Sequence, residues 1–185
     1  MRLKIPTKPS IQLAEETGLH IGDGSMNYYV QRAQMKGKYS LRGHLVDDRN
    51  HYDTRIATMY RELYGIDVSN REMQSTGVYG FQVWNNELVA FKSKVLGLPL
   101  GWKTGVSIPA IFRDEEKFTI AVIRGVYDTD GNVYIENKRG KLYLRAKISN
   151  TSLKLALQIH TALNGLDIRA TLHSQKRKNP HMERL

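Results

Sequence analysis

Apolar and small residues recur at three- and four-residue intervals over Ile11, Ala14, Thr17, Gly18 and Ile21. Ser10, a good helix cap, stands just before them, so the spacing predicts a helix that Gly22 and Gly24 end. Tyr- and Val-rich Met26–Met35, a turn at Gly37 and Tyr39–Val46 predict a two-stranded antiparallel ribbon. Ile56, Met59, Tyr60 and Leu63 share one face of a predicted helix over Tyr52–Tyr64, closed by Gly65. Two short strands are expected around Gly77, at Asp67–Thr76 and Val78–Trp84. A helix over Asn85–Leu96 follows, stopped by Gly97 and Pro99.

After a Gly- and Pro-bearing connection the same order begins again. Phe118, Ala121, Val122, Gly125 and Val126 predict a helix capped by Asp114 or a neighbour and ended at Gly131. Asn132–Lys138 and Lys141–Ser149 flank Gly140 as a hairpin. Thr151–Asn164 carries Leu153, Leu155, Ala156, Leu157, Ile159 and Leu163 as a helix. Ile168–Ser174 is expected as a third strand and Pro180–Leu185 as the start of a fourth. The expected fold class is therefore α+β, with two pseudo-symmetric α-β-β-α-β-β-α units. Residues 1–98 form the first unit, 99–113 a linker, and 114–185 a second unit shorter than the first at its C-terminal end.

The repeat has a sharp core. Gly18-Leu19-His20-Ile21-Gly22-Asp23-Gly24 returns as Gly125-Val126-Tyr127-Asp128-Thr129-Asp130-Gly131, and its two Asp-Gly pairs lie 107 residues apart (130 − 23). One Asp-Gly is an ordinary turn; two with the same small residue four positions upstream are a repeated unit. A calcium loop starting at Asp128 fails, because its sixth position is not Gly and its twelfth is Arg139. Small residues four apart let two helices touch at their backbones, which brings Asp23 and Asp130 together. Carboxylates so placed repel unless a cation or proton joins them, and hard divalent ions such as Mg²⁺ suit them.

Charge narrows the partner. Lys and Arg total 28 against 18 acidic residues, for a net charge of +10, which favours a polyanion, nucleic acid first. No apolar run reaches the roughly 18 residues of a bilayer span, and the absence of cysteine excludes disulfides and thiolate metal sites. No membrane partner is expected. The setting expected is intracellular: cytoplasm or nucleoid, or an organelle in a eukaryote.

The two motif copies resemble those of the monomeric LAGLIDADG homing endonucleases. Phe118–Gly131 is the closer copy; the first departs at Glu15, Glu16 and His20 but keeps Gly22-Asp23-Gly24. The resemblance implies that Asp23 and Asp130 bind catalytic Mg²⁺ or Mn²⁺, with Gly22 and Thr129, one residue before each, completing the ligand set. It also implies that Leu98-Pro99-Leu100-Gly101-Trp102-Lys103 delivers an active-site lysine, Lys103, and that polar residues end the second strand of each unit. His44 and Asn150 stand at roughly those places and are also weighed as a structural histidine and a helix cap.

By the same resemblance the strands form a saddle on double-stranded DNA. In the second hairpin Tyr134, Glu136, Lys138, Lys141, Tyr143, Arg145 and Lys147 alternate with apolar residues, with Arg139 at the turn. The first unit repeats this more softly with Asn27, Tyr29, Gln31, Gln34, Lys36, Lys38 and Arg42, joined by Arg71 and Gln74. Arg169, Thr171, His173 and Lys176 extend the basic surface. The function expected is a monomeric, site-specific endonuclease that hydrolyses both DNA strands. Two alternatives use the same saddle: an intron maturase binding RNA, and a DNA-binding protein without catalysis. No protein-splicing residues flank the chain, which favours a free-standing or intron-borne reading frame over an intein.

Overall fold

The computed structural model describes residues 3–73 and 77–175. Helix α1 spans Ile11–Asp23, and its cap is Ser10, whose hydroxyl accepts from Leu13 N at 3.1 Å. Its counterpart α5 spans Glu116–Asp130 and is entered through Glu115. The two run alongside each other in the same direction, with Gly18 against Gly125 and Gly22 against Thr129. A Cβ on Gly18 would stand 2.9 Å from Gly125 Cα, and one on Gly125 would stand 2.7 Å from Leu19 N. The backbones therefore meet where any side chain would hold them apart.

From the end of α1 the chain enters β1 (Gly24–Gln31) and returns as β2 (Gln34–His44). β4 (Val78–Trp84) and β3 (Arg71–Met73) complete an antiparallel sheet in the order β1-β2-β4-β3. The turn expected at Gly37 lies instead at Arg32-Ala33, both with left-handed φ (48° and 61°), as a two-residue hairpin loop requires. Gly37 sits inside β2, paired with Tyr28. It is small for another reason: a Cβ there would be 3.1 Å from Val89, so glycine lets the helix that follows β4 close onto the strand.

Behind the sheet, α2 (Arg49–His51), a π-helical stretch Tyr52–Ile56 and α3 (Ala57–Tyr64) form one continuous rod that stops at Gly65 with φ 65°. α4 (Asn86–Ala90), capped by Asn85, continues into a second π-helical stretch, Phe91–Val95. Alternation explains the layer: Met26, Tyr39 and Leu41 face inward onto Tyr60, Phe81, Leu88 and Val89, all buried.

The second unit continues from α5 into β5 (Gly131–Lys138), β6 (Lys141–Ile148) and α6 (Leu153–Gly165), capped by Ser152. β5 and β6 pair only with each other among the described residues. The strand expected over Ile168–Ser174 is not formed. Its backbone runs irregularly, and Ile168 and Leu172 stay exposed. The strand start expected at Pro180–Leu185 lies outside the described residues. On the face of β5 and β6 opposite the polar residues, Val133, Ile135, Leu142 and Leu144 are exposed, Leu144 by 77%.

One feature of the first unit has no apolar logic. Glu16 and Lys92 are fully buried and paired, with Lys92 Nζ donating to both carboxylate oxygens at 2.6 and 2.7 Å. Tyr64 donates to Glu16 at 2.9 Å, Tyr60 also donates to it, and Tyr39 reaches it at 3.5 Å. Desolvation pulls the Lys92 amine down from its ordinary value, and the Glu16 charge holds it up. Removing one member strands the other in the core. Lys92→Met is expected to cost about 3–5 kcal/mol in urea unfolding, whereas Arg61→Ala, which breaks the exposed Arg61–Asp67 pair, costs below about 1 kcal/mol.

Candidate active site and nucleic-acid face

Because the helix ends abut, Asp23 and Asp130 come together at the base of the seam, each partly buried and each the last residue of its helix. Burial is the first force on Asp23, and the Asp130 charge adds to it, with Asp48 behind. Together they push its carboxyl from 3.8 to about 7 against the pull of Lys103. Asp130 is also raised by burial, but the Asn150 amide and Lys103 restrain it. Asn150 Nδ2 donates to Asp130 Oδ2 at 2.7 Å.

Lys103 reaches the same place from the linker, where Gly101 N bonded to Met26 O at 2.9 Å ties the loop to β1. Its Nζ donates to His20 O at 3.1 Å and Gly22 O at 2.5 Å. Burial lowers the lysine, while the two aspartates hold it up. Among the expected site residues the structure thus brings Asp23, Asp130, Lys103 and Asn150 together. It does not bring His44: that imidazole is exposed and its Nδ1 lies 2.9 Å from Asp47. The pairing explains why. Gly24 faces Leu41 and Gly131 faces Ile148, so the first-unit position matching Asn150 is Gly43, not His44.

Two expected ligands are engaged elsewhere. The Gly22 carbonyl accepts from Lys103. The Thr129 hydroxyl donates inside its own helix, to Gly125 O at 3.1 Å and Val126 O at 3.0 Å, while the side chain fills the hollow at Gly22. Among the described residues no three His, Cys, Asp or Glu side chains converge as a metal cage. Two hard carboxylates whose repulsion is only partly relieved by one lysine nevertheless fit Mg²⁺ or Mn²⁺. Mg²⁺ commonly binds through one or two carboxylates and takes its remaining oxygens from water and phosphate.

Outward from the seam the cross-strand pairs put the polar residues on one face. In the first hairpin Asn27 faces Lys38, Tyr29 faces Lys36 and Gln31 faces Gln34. Arg42 and Arg71 both lie opposite Gly80. In the second, Tyr134 faces Arg145, Glu136 faces Tyr143 and Lys138 faces Lys141, with Lys147 beyond and Arg139 in the turn. Glu136 does not interrupt the positive surface freely, since it pairs with Arg145 at 2.9 Å. Arg169, Thr171 and His173 are exposed in an irregular segment; Gln74 and Lys176 lie outside the described residues.

Sequence reading missed two members of this face. Gln82 lies opposite Ser40, and Trp84 lies opposite Lys38 and is 42% exposed. Lys38 Nζ stands 5.7 Å from the Trp84 ring and 5.9 Å from the Tyr29 ring, a cation bracketed by aromatics. The alternation Phe81-Gln82-Val83-Trp84 carried the signal. Also missed was the clamp on Glu15, a buried carboxylate that accepts from Arg55 at 2.8 and 2.7 Å and from Arg124 of α5.

Residues 117–184 match the family model of the LAGLIDADG-like domain. No curated protein sequence matches the chain. Among solved structures, a set of mesophilic variants of the homing endonuclease I-DmoI superposes with a TM-score of 0.64 at 18% identity, covering 91% of this chain and 83% of that one. I-DmoI in complex with DNA and Mn gives 0.62 at 18%, covering 90% and 83%. The LAGLIDADG meganuclease I-AabMI bound to uncleaved DNA gives 0.55 at 9%, covering 88% and 74%. The chain therefore has the mixed α+β fold of the LAGLIDADG homing endonucleases. Among its described residues no helix is long and apolar enough to cross a membrane.

The raised Asp23 carboxyl has a measurable consequence. The folded protein holds a proton between about pH 4 and 7 that the unfolded chain has released, so stability falls as pH rises through that window. Without divalent ions, Asp23→Asn is expected to be more stable than wild type at pH 8, and the difference disappears near pH 4. Urea unfolding at a series of pH values in chelator measures it.

Proposed function

We propose that this chain is a divalent-metal-dependent DNA endonuclease that cuts both strands of a long duplex site. The observation that carries the reading is the convergence of two carboxylates from repeated helices at the middle of a basic, aromatic-bearing strand surface. A binding module needs the strand surface; it does not need charges held together against their repulsion.

Each part has a physical role. Lys36, Lys38, Arg42, Lys138, Arg139, Lys141, Arg145 and Lys147 neutralise phosphates and release counterions, so affinity falls steeply with salt. Asn27, Gln31, Gln34 and Gln82 carry amides suited to base edges. The seam delivers Asp23 and Asp130 to the phosphates between the two hairpins, one carboxylate per strand. Bound there, Mg²⁺ or Mn²⁺ supplies a polarised water and charge for the leaving oxygen. Lys103, held at the seam by the His20 and Gly22 carbonyls, stabilises negative charge gathering on the phosphate. The Asn150 amide fixes the orientation of Asp130 and favours its ionised form.

The aspartates separate binding from cutting. Asp23→Asn and Asp130→Asn are expected to leave duplex affinity within about twofold, because phosphate contacts by Lys and Arg dominate affinity, and to abolish cleavage in Mg²⁺. Electrophoretic shift and plasmid linearisation are the measurements, and cleavage surviving in the double variant would refute the mechanism. Lys103→Met should slow cutting about a hundredfold with binding retained.

A further inference from the structure

The two halves of the site are built on one ruler, and they differ at one place. β1–β2 and β5–β6 have strand pairs at the same 107-residue spacing, with two-residue turns at Arg32-Ala33 and Arg139-Gly140. On that spacing Asn150 corresponds to Gly43. In the second unit the Asn150 amide donates to Asp130. In the first, no side chain exists at Gly43 to do the same for Asp23.

The space is filled from the next element. A Cβ on Gly43 would collide with Asp48 Oδ2, and would stand 3.0 Å from Asp48 Cβ and 2.9 Å from Tyr52 Cε2. Asp48 occupies the N-cap position of α2 but makes no side-chain cap bond there. Its carboxylate turns back and accepts from His44 N at 2.5 Å, a contact that leaves most of its lone-pair capacity unused. Beside it Tyr52 is 2% exposed, and its hydroxyl finds no hydrogen-bond partner among the described residues. Burial pushes that hydroxyl above its ordinary value, and the charges of Asp23 and Asp48 add to the effect. In the second unit the helix after the hairpin opens three residues sooner. It is capped by Ser152 and buries Leu155 and Ile159, so this helix brings no carboxylate or phenol to that end.

We propose that Asp48 and the Tyr52 hydroxyl hold an ordered water at the Asp23 end of the seam, making Asp48 the positioning residue for the strand cut there. A buried hydroxyl without a partner is costly, and a buried water needs two to four polar neighbours. Tyr52 as donor with Asp48 and Asp23 as acceptors are three. The two ends then differ in sense: at Asp130 a neutral amide donates to the ligand carboxylate, whereas at Asp23 a second carboxylate accepts from water and turns its lone pairs toward the seam. This inference rests on the endonuclease reading only for its consequence, since the water is a structural statement on its own.

A crystal structure of the wild-type chain at a resolution that orders solvent tests the first part. A water within hydrogen-bond reach of both Asp48 and Tyr52 Oη is expected, and a dry pocket, or a direct bond from Tyr52 to either aspartate, overturns the proposal whatever the activity. Asp48→Asn tests the second, because its amide oxygen still accepts from His44 N and the fold is retained. On a plasmid that the wild-type chain linearises, this variant should accumulate nicked circles, one strand slowing at least about tenfold while the other keeps its rate. Equal slowing of both strands assigns Asp48 a merely structural role and overturns the proposal. A wild-type chain that cuts no DNA refutes the endonuclease reading instead and leaves the water to be judged by crystallography.

Discussion

The close approach of α1 and α5 is the constraint on which the molecule depends. Gly18 and Gly125 let backbone meet backbone, so the two helix ends and their terminal aspartates occupy one small volume. Helices with ordinary side chains at those positions pack about 8–10 Å apart. The carboxylates would then separate, and Lys103 would no longer feel the charge of both. The seam also sets where the hairpins start, since β1 and β5 begin at the residue after each aspartate. One contact thus positions both the paired aspartates and the basic strand surface.

Around that seam the protein spends unusual polar residues in its interior. Glu15 and Glu16 point to different sides of α1: one is clamped by Arg55 and by Arg124 of the opposite helix, the other by Lys92 and a cluster of tyrosines. Replacing a buried ion pair with apolar residues is often no less stable, so such pairs are poor evidence of stability as such. What the Glu15 clamp adds is register. An arginine from each unit meeting one carboxylate resists sliding along a seam of small residues that has little shape of its own. His20 belongs to the same interior, stacked on Tyr39 at 5.5 Å with neither ring nitrogen bonded and burial holding it neutral.

The repetition is close in backbone and loose in chemistry. Both hairpins turn on left-handed residues and both begin from an Asp-Gly, yet the first is covered by helices and extended to four strands while the second shows its apolar side to solvent. The polar faces differ likewise. The first carries amides and an aromatic pair around Lys38, the second a denser row of lysine and arginine.

Local pattern alone determined the helices, the cap at Ser10, the strand alternation, the basic face and the repeated Asp-Gly, because each is a short-range property of backbone geometry and side-chain periodicity. The 107-residue spacing was legible too, and applied to the hairpins it places the first turn at Arg32-Ala33 and matches Asn150 to Gly43. Taken one residue type at a time, glycine drew the turn to Gly37 and polarity drew the site to His44. Only the tertiary structure decided that Gly37 is a packing contact with Val89. It alone brought Lys92 from seventy-six residues away to Glu16, and left Ile168–Ser174 irregular. It also set Asp48 in the vacancy at Gly43. Those outcomes depend on which surfaces meet, and meeting is a property of close-packed helices and sheets rather than of any segment that composes them.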